Sequence, residues 1–211
     1  MKRVYTLGEE IFNAISHGIG ALLALIGTVI LVVLAVSRGR TDEIIAYSIY
    51  GTSLFVLYLM STLYHSIQPA RAKRVLQIFD HMSISLLIAG SYTPFALLSL
   101  TREGSAGYIL LALIWILAGT AMIIDAFWLK KLQKLSLLLY VAMGWVAVLF
   151  SKQLAEHLGW QGMTLLAAGG ILYTAGIAFY KAKRLKFSHG IWHIFVLGGS
   201  IVHYVTILRF T

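Results

Sequence analysis

The chain has 211 residues, no cysteine, 59% hydrophobic and 12% charged residues, and a formal net charge of +9, with a mean hydropathy of +0.84. That balance lies well outside the range of soluble globular domains and describes a polytopic membrane protein. Without cysteine there are no disulfides and no thiolate metal sites, so any transition metal must be held by imidazole, carboxylate or water.

A membrane-spanning helix needs about 20 apolar residues at about 1.5 Å rise each. Seven runs meet that requirement, at 15–36, 44–65, 76–100, 106–126, 134–151, 162–180 and 187–208. The first follows Lys2 and Arg3 as a signal peptide would. It is too long for one, however, opens on Glu9, Glu10, Asn13 and His17, and has no small-residue cleavage site before Arg38, so it is read as a helix. Glu9, Asn13 and His17 recur every four residues and form a polar stripe. Glu9 suits a helix N-terminus, whereas the deeper Asn13 and His17 either hydrogen-bond between helices or shape a site.

The second run ends on Ser61 and His65, and the third opens on Asp80 and His81. Pro94, in the segment IAGSYTPF, should bend the third run and free backbone carbonyls where a cavity can open. Asp125 lies near the end of the fourth run, and His157, in the connection before the sixth, reads as solvated. The seventh run carries His189 and His193 in its first two turns, with His203 near its far end as a packing residue. Glycines at 18, 20, 27, 169, 170, 176, 198 and 199 read as close helix contacts. The short connections leave one membrane domain over 1–211, with no soluble appendage and no internal repeat.

Assigning the connections alternately puts twelve basic residues on one side: Lys2, Arg3, Arg71, Lys73, Arg74, Lys130, Lys131, Lys134, Lys181, Lys183, Arg184 and Lys186. The other side receives five, Arg38, Arg40, Arg102, Lys152 and Arg209. Basic residues in short loops stay in the cytoplasm, so the N-terminus is expected inside and the C-terminus outside. The net charge is therefore a positive-inside signal helped by anionic lipid headgroups, and no nucleic-acid partner is implied. Nothing in the sequence sets an oligomeric state.

With that orientation, His65, Asp80, His81, His189 and His193 fall at one depth near the cytoplasmic face. His189 and His193 are one helical turn apart and project from one face, so they can share a cation with His65. Intramembrane ionisable residues are costly and mark function by default. Three imidazoles with one open position is the pattern of catalytic zinc, although iron and copper also bind imidazole. Asp80 then serves as a water-holding group, a proton acceptor or a balancing charge. Ser61 can bond to Asp80, to an imidazole or back to its own helix carbonyl. His81 points about 100° away from Asp80 around the helix and is not read as a ligand.

The segments EEIFNAISHGIG, STLYHSIQ, FDHMSISLLIAGSYTPF, YVAMGW and FSHGIWHIFVLGGSIVHY resemble the bacterial hemolysin III family, part of the progestin and adipoQ receptor superfamily. The resemblance spans essentially the whole chain. It implies an all-α, seven-helix bundle in the bacterial cell membrane with a zinc ion near the cytoplasmic side, held by His65, His189 and His193, with Asp80 linked through a zinc-bound water and Ser61 nearby. Asp80 is followed by His81 where the animal receptors generally have tyrosine. Relatives with the same constellation include alkaline ceramidases, which implies metal-dependent hydrolysis of lipid amides.

Three functions compete: a zinc hydrolase acting on membrane lipid, a non-enzymatic sensor or regulator of membrane lipid state with structural zinc, and a cytolytic protein. The last has least support, because no amphipathic insertion segment or charged pore stripe is present. A retinal pump is excluded by the absence of lysine from 187–208. The charge asymmetry predicts that cysteines introduced beside Arg38, Arg102 or Lys152 react with an impermeant thiol reagent applied from outside, and that cysteines beside Lys73, Lys131 or Lys183 do not. Reversed labelling would put the histidines on the extracytoplasmic side.

Overall fold

The structure, a computed structural model, describes residues 5–211 apart from the side chains of Arg102 and Glu103. Lys2 and Arg3, counted above on the cytoplasmic side, lie outside the described residues. Among the described residues every regular element is helical: α1 (Leu7–Ser37), α2 (Thr41–Ser66), α3 (Ala70–Pro94), α4 (Ala106–Gly144), α5 (Ser151–Lys181) and α6 (Ser188–Phe210), with short π and 3₁₀ turns between some of them. Five helical stretches are long and apolar enough to cross a membrane, and the protein is a multi-pass membrane helical bundle.

Helix α1 starts earlier than its apolar run. Thr6 accepts a hydrogen bond from the Glu9 amide at 3.3 Å while the Glu9 carboxylate accepts from the Thr6 amide at 3.0 Å, a reciprocal cap that satisfies two of the orphan donors of the first turn. Beyond the cap, Glu10, Asn13, Ser16 and His17 are buried, as are Gly20, Ala24 and Gly27. Ile15, Ile19, Leu22, Ile26, Val29 and Val33 face outward. The helix thus turns its polar and small residues to the protein and its bulky apolar ones to lipid, as expected where lipid removes any hydrophobic drive to bury them.

Helix α1 packs on both α2 and α6, α2 on α3, α3 on α4, and α5 on α6. In the α1–α2 turn, Arg38 pairs with the buried Glu43 at 3.2 Å and Arg40 with Asp42 at 2.7 Å. Pro94 ends α3, and the chain continues through a π turn over Phe95–Ser99, the widened geometry expected where proline removes a helical donor.

The largest departure from the expected runs lies between Ala106 and Lys181, a continuous helical stretch of 76 residues. A straight helix of that length would measure about 114 Å, nearly four times the hydrocarbon thickness of about 30 Å. The backbone leaves helical geometry at Trp128 and Leu132 within α4, forms a 3₁₀ turn over Val146–Phe150, and adopts φ +62° at Gly159 within α5. That left-handed conformation is open to glycine without a Cβ penalty. His157, expected in a loop, lies on helix, in the two turns before Gly159. Across the α4 break the fully buried Asp125 accepts hydrogen bonds from Ser136 at 2.6 Å and from the Tyr140 hydroxyl. Asp125 therefore fastens the two sides of a bend and does not join the histidines.

Several glycines act as seats for aromatic rings. A Cβ on Gly20 would lie 2.6 Å from the Tyr58 ring, and one on Gly27 would lie 2.9 Å from the Tyr204 ring. Tyr58 cannot swing away freely, because it is buried and donates to Ser200 at 2.7 Å. Gly20→Ala should lower the melting temperature of the detergent-purified protein, by the equivalent of about 1–3 kcal/mol for an overpacked contact. Gly119→Ala, where nothing lies within 4 Å of the new carbon, should not.

Candidate metal centre

His65 reaches the site from the last turn of α2, and His189 and His193 from the first two turns of α6. One ligand-type nitrogen from each lies within 4.8 Å of the other two, so the triad can hold a metal ion. His65 and His193 are buried, and His189 is half-buried.

Hydrogen bonds define how each ring is turned. Nδ1 of His65 lies 2.5 Å from a Glu10 carboxylate oxygen, an acceptor, so the ring donates there and its Nε2 carries a lone pair. Nδ1 of His193 lies 3.2 Å from the Asn13 carbonyl and 3.1 Å from the Ser16 hydroxyl, so it too is a donor. Its Nε2 is buried with no hydrogen-bond partner. Nε2 of His65 and Nε2 of His189 approach to 3.2 Å. Two lone pairs at that separation repel unless a proton or a cation lies between them. Nitrogens about 2.0–2.1 Å from a tetrahedral zinc stand about 3.3–3.4 Å apart. The observed spacing fits a shared cation, and the orphaned Nε2 of His193 supplies the third direction.

Aromatic rings surround the centre. Tyr5 packs against His65 and His189 at ring separations of 6.0 and 5.2 Å, and Trp192 lies 4.9 Å from His189. His17 stacks on His193 at 3.5 Å and meets Tyr58 edge-on, with both ring nitrogens free of hydrogen bonds. Asp80 is buried beside the triad but is not a member of it. Ser61 and His65 are its electrostatic neighbours together with His81, whose ring nitrogen is 3.6 Å away. The Ser61 hydroxyl is buried beside the Asp80 carboxylate. His203 is remote from the triad, bonding the Leu166 carbonyl at 3.3 Å.

The site borders a long cavity of about 1280 Å³, including the space open to its surroundings. Asp80, His17 and His189 line one end, and Tyr92, Trp145 and His203 the other. Between them run Ile84, Leu87, Ile88, Leu137, Val141 and Ile177. Asp80 to Tyr92 is twelve residues along α3, about 18 Å, comparable to the hydrocarbon depth of one leaflet, about 15 Å. A second cavity, about 710 Å³, shares Tyr92, Trp145, Gly170 and His203 and extends the space further.

Two residues at the centre were not singled out from sequence. Glu10 was passed over in favour of the Glu9, Asn13, His17 series, yet Glu9 caps α1 and accepts from the Phe187 amide at 2.9 Å, while Glu10 meets the histidine. Positions 10, 13 and 17 also share a helix face, by the i, i+3, i+7 rule, and that spacing was the available signal. Ser16 carries no comparable sequence signal.

Fold and site together define a multi-pass membrane helical bundle with a buried, metal-competent histidine triad at one end of an apolar cavity. The Haemolysin-III related family matches residues 5–204, and the chain belongs to that family. It is 46% identical to Hemolysin-3 of Bacillus cereus over 95% of this chain and 90% of that protein. It is 43% identical to the Hemolysin-3 homolog of Bacillus subtilis (strain 168), over 97% of this chain and 95% of that protein. At 28% identity it matches the human Monocyte to macrophage differentiation factor, over 97% of this chain and 85% of that protein. Such distant relatives are the adiponectin-receptor-like proteins.

Purified without chelator, the protein should carry about one metal ion per chain by elemental analysis. Replacing His65, His189 and His193 by alanine should remove it, and His203→Ala should leave it in place. Metal content near zero in the wild type, or unchanged in the triple variant, would refute the site.

Proposed function

We propose that the protein is a zinc-dependent hydrolase of membrane lipid, built as one domain of seven spans with the N-terminus in the cytoplasm. The observation that carries this reading is a metal-competent histidine triad beside a leaflet-long apolar cavity that is lined by His189 of the triad and by the buried carboxylate of Asp80. The breaks at Trp128–Leu132 and around Val146–Gly159 support reading the 76-residue stretch as three crossings, which with the other four stretches makes seven. The α1–α2 turn carries only Arg38 and Arg40, whereas Arg71, Lys73 and Arg74 follow α2 and Lys181, Lys183, Arg184 and Lys186 precede α6, which supports the cytoplasmic placement of those more basic connections.

His65, His189 and His193 would hold the zinc, which supplies a Lewis acid able to polarise a carbonyl and activate water. The remaining chemistry belongs to the chain. Asp80, at the cavity end, is placed to accept a proton from water and return it to a leaving group. The Ser61 hydroxyl, beside Asp80, can donate to that carboxylate or to a substrate oxygen. An acyl chain lying along Ile84, Leu87 and Ile88 on one wall, with Leu137, Val141 and Ile177 on another, excludes bulk water and brings its carbonyl to Asp80. The apolar wall selects a long-chain lipid amide or ester. The name of the Bacillus cereus relative points to lysis, which altered membrane lipid can produce indirectly.

Asp80→Asn keeps the size of the side chain and removes the base. Zinc should stay bound, with a loss of affinity within about 10–100-fold, while release of fatty acid from ceramide-like or phospholipid substrates should fall by about 10²–10⁴. Equal turnover in both forms would remove Asp80 from the reaction. Absence of turnover in wild type across a broad lipid panel would favour a lipid sensor with structural zinc.

A further inference from the structure

The stripe on α1 contains a carboxylate that helix capping and lipid cleavage leave unexplained. Glu10 is buried, and its two oxygens are divided between two helices. One accepts from Nδ1 of His65 on α2 at 2.5 Å, and the other from the Lys73 ammonium on α3 at 2.6 Å. The aliphatic stem of Lys73 is partly covered, and its ammonium lies 5.3 Å from the centre of the Tyr64 ring. A carboxylate would not be retained in so apolar a setting without strong partners. Lys73 alone would satisfy the charge, yet the second oxygen is directed at the nitrogen opposite the one that faces the triad.

We infer that Glu10 is a positioning residue for the metal centre: it holds the His65 ring in the tautomer and orientation that present Nε2 to the cation, with Lys73 anchoring the carboxylate. The inference rests on the triad holding zinc. A carboxylate behind an imidazole fixes the ring and raises the basicity of the ligating nitrogen. His193 is backed by a neutral carbonyl, and among the described residues no hydrogen bond backs the second nitrogen of His189. The charged support is therefore concentrated on the ligand contributed by α2. It also ties α1, α2 and α3 together at the depth of the site.

The test compares full-length wild type, Glu10→Gln and Glu43→Gln. Glu43 is also a buried carboxylate, paired with an arginine, in the first turn of α2, at the opposite end of that helix from His65, and controls for the loss of any buried ion pair. Zinc affinity is read by chelator competition, the ligand field by the visible spectrum of the cobalt(II)-loaded protein, and stability by melting of the metal-free form. Glu10→Gln should weaken zinc by about 10–100-fold and shift the cobalt bands, and Glu43→Gln should change only the melting temperature. Unchanged zinc affinity and cobalt spectrum in Glu10→Gln, or the same losses in Glu43→Gln, would overturn the inference while leaving the triad intact. A wild type that binds no zinc would overturn the site itself and this role with it. Imidazole nitrogen NMR of the zinc-loaded wild type provides a reading independent of any variant. It should show His65 protonated at Nδ1, and protonation at Nε2 instead would refute the role of Glu10.

Discussion

The structure depends on how closely α1 approaches α2 and α6. A buried polar side chain in a membrane interior is costly without a partner, and α1 delivers the polar partners that back His65 and His193. Glu10 reaches α2 and α3, the Asn13 carbonyl and Ser16 reach α6, and His17 stacks on an α6 imidazole. None of these contacts can form unless the backbones are near. Small residues on the buried face of α1, Gly20, Ala24 and Gly27, make that possible, with tyrosine rings from α2 and α6 lying on the two glycines.

Much of this was legible in the amino-acid sequence, for identifiable reasons. Long apolar runs and few charges state a membrane bundle directly, because hydrocarbon thickness sets the required length. The triad was legible because His189 and His193 share a helix face and because alternating helix direction brings the end of one run to the start of another. The helical stretch from Ala106 to Lys181 was less so. Its breaks at Trp128, Leu132 and Gly159 fall where no proline marks them, so hydropathy located the apolar runs but did not show that helix continues between them. The apolar run at 15–36 covers α1 only in part, and its first turns, from Leu7, are legible instead from Glu9 as a residue suited to a helix N-terminus and from the four-residue spacing of Glu9, Asn13 and His17.

The register of α1 shows a second limit. Glu9 and Glu10 are adjacent and about 100° apart around the helix, and both are buried. Sequence periodicity places each on a plausible polar face. Only the packing angle against α2 decides that Glu10 meets His65 while Glu9 turns to the Phe187 amide. Asp125 poses a related problem, since its place near the end of an apolar run does not reveal that its partners, Ser136 and Tyr140, lie across the α4 break.

Gly190, directly after the first α6 histidine, sets how near α1 can come. A Cβ on Gly190 would run into the Phe12 ring and lie 2.9 Å from the Asn13 amide oxygen, so a side chain there would push α1 away from the triad. Two histidines four apart are therefore an insufficient signature for recognising such centres in other sequences. A more selective query joins His-Gly-x-x-His on the last helix to Glu-x-x-Asn-x-x-x-His on the first, so that one half specifies the nitrogens and the other the backbone that approaches them. A computational screen using both halves would discard chains that have the imidazoles without room for the helix that orients them.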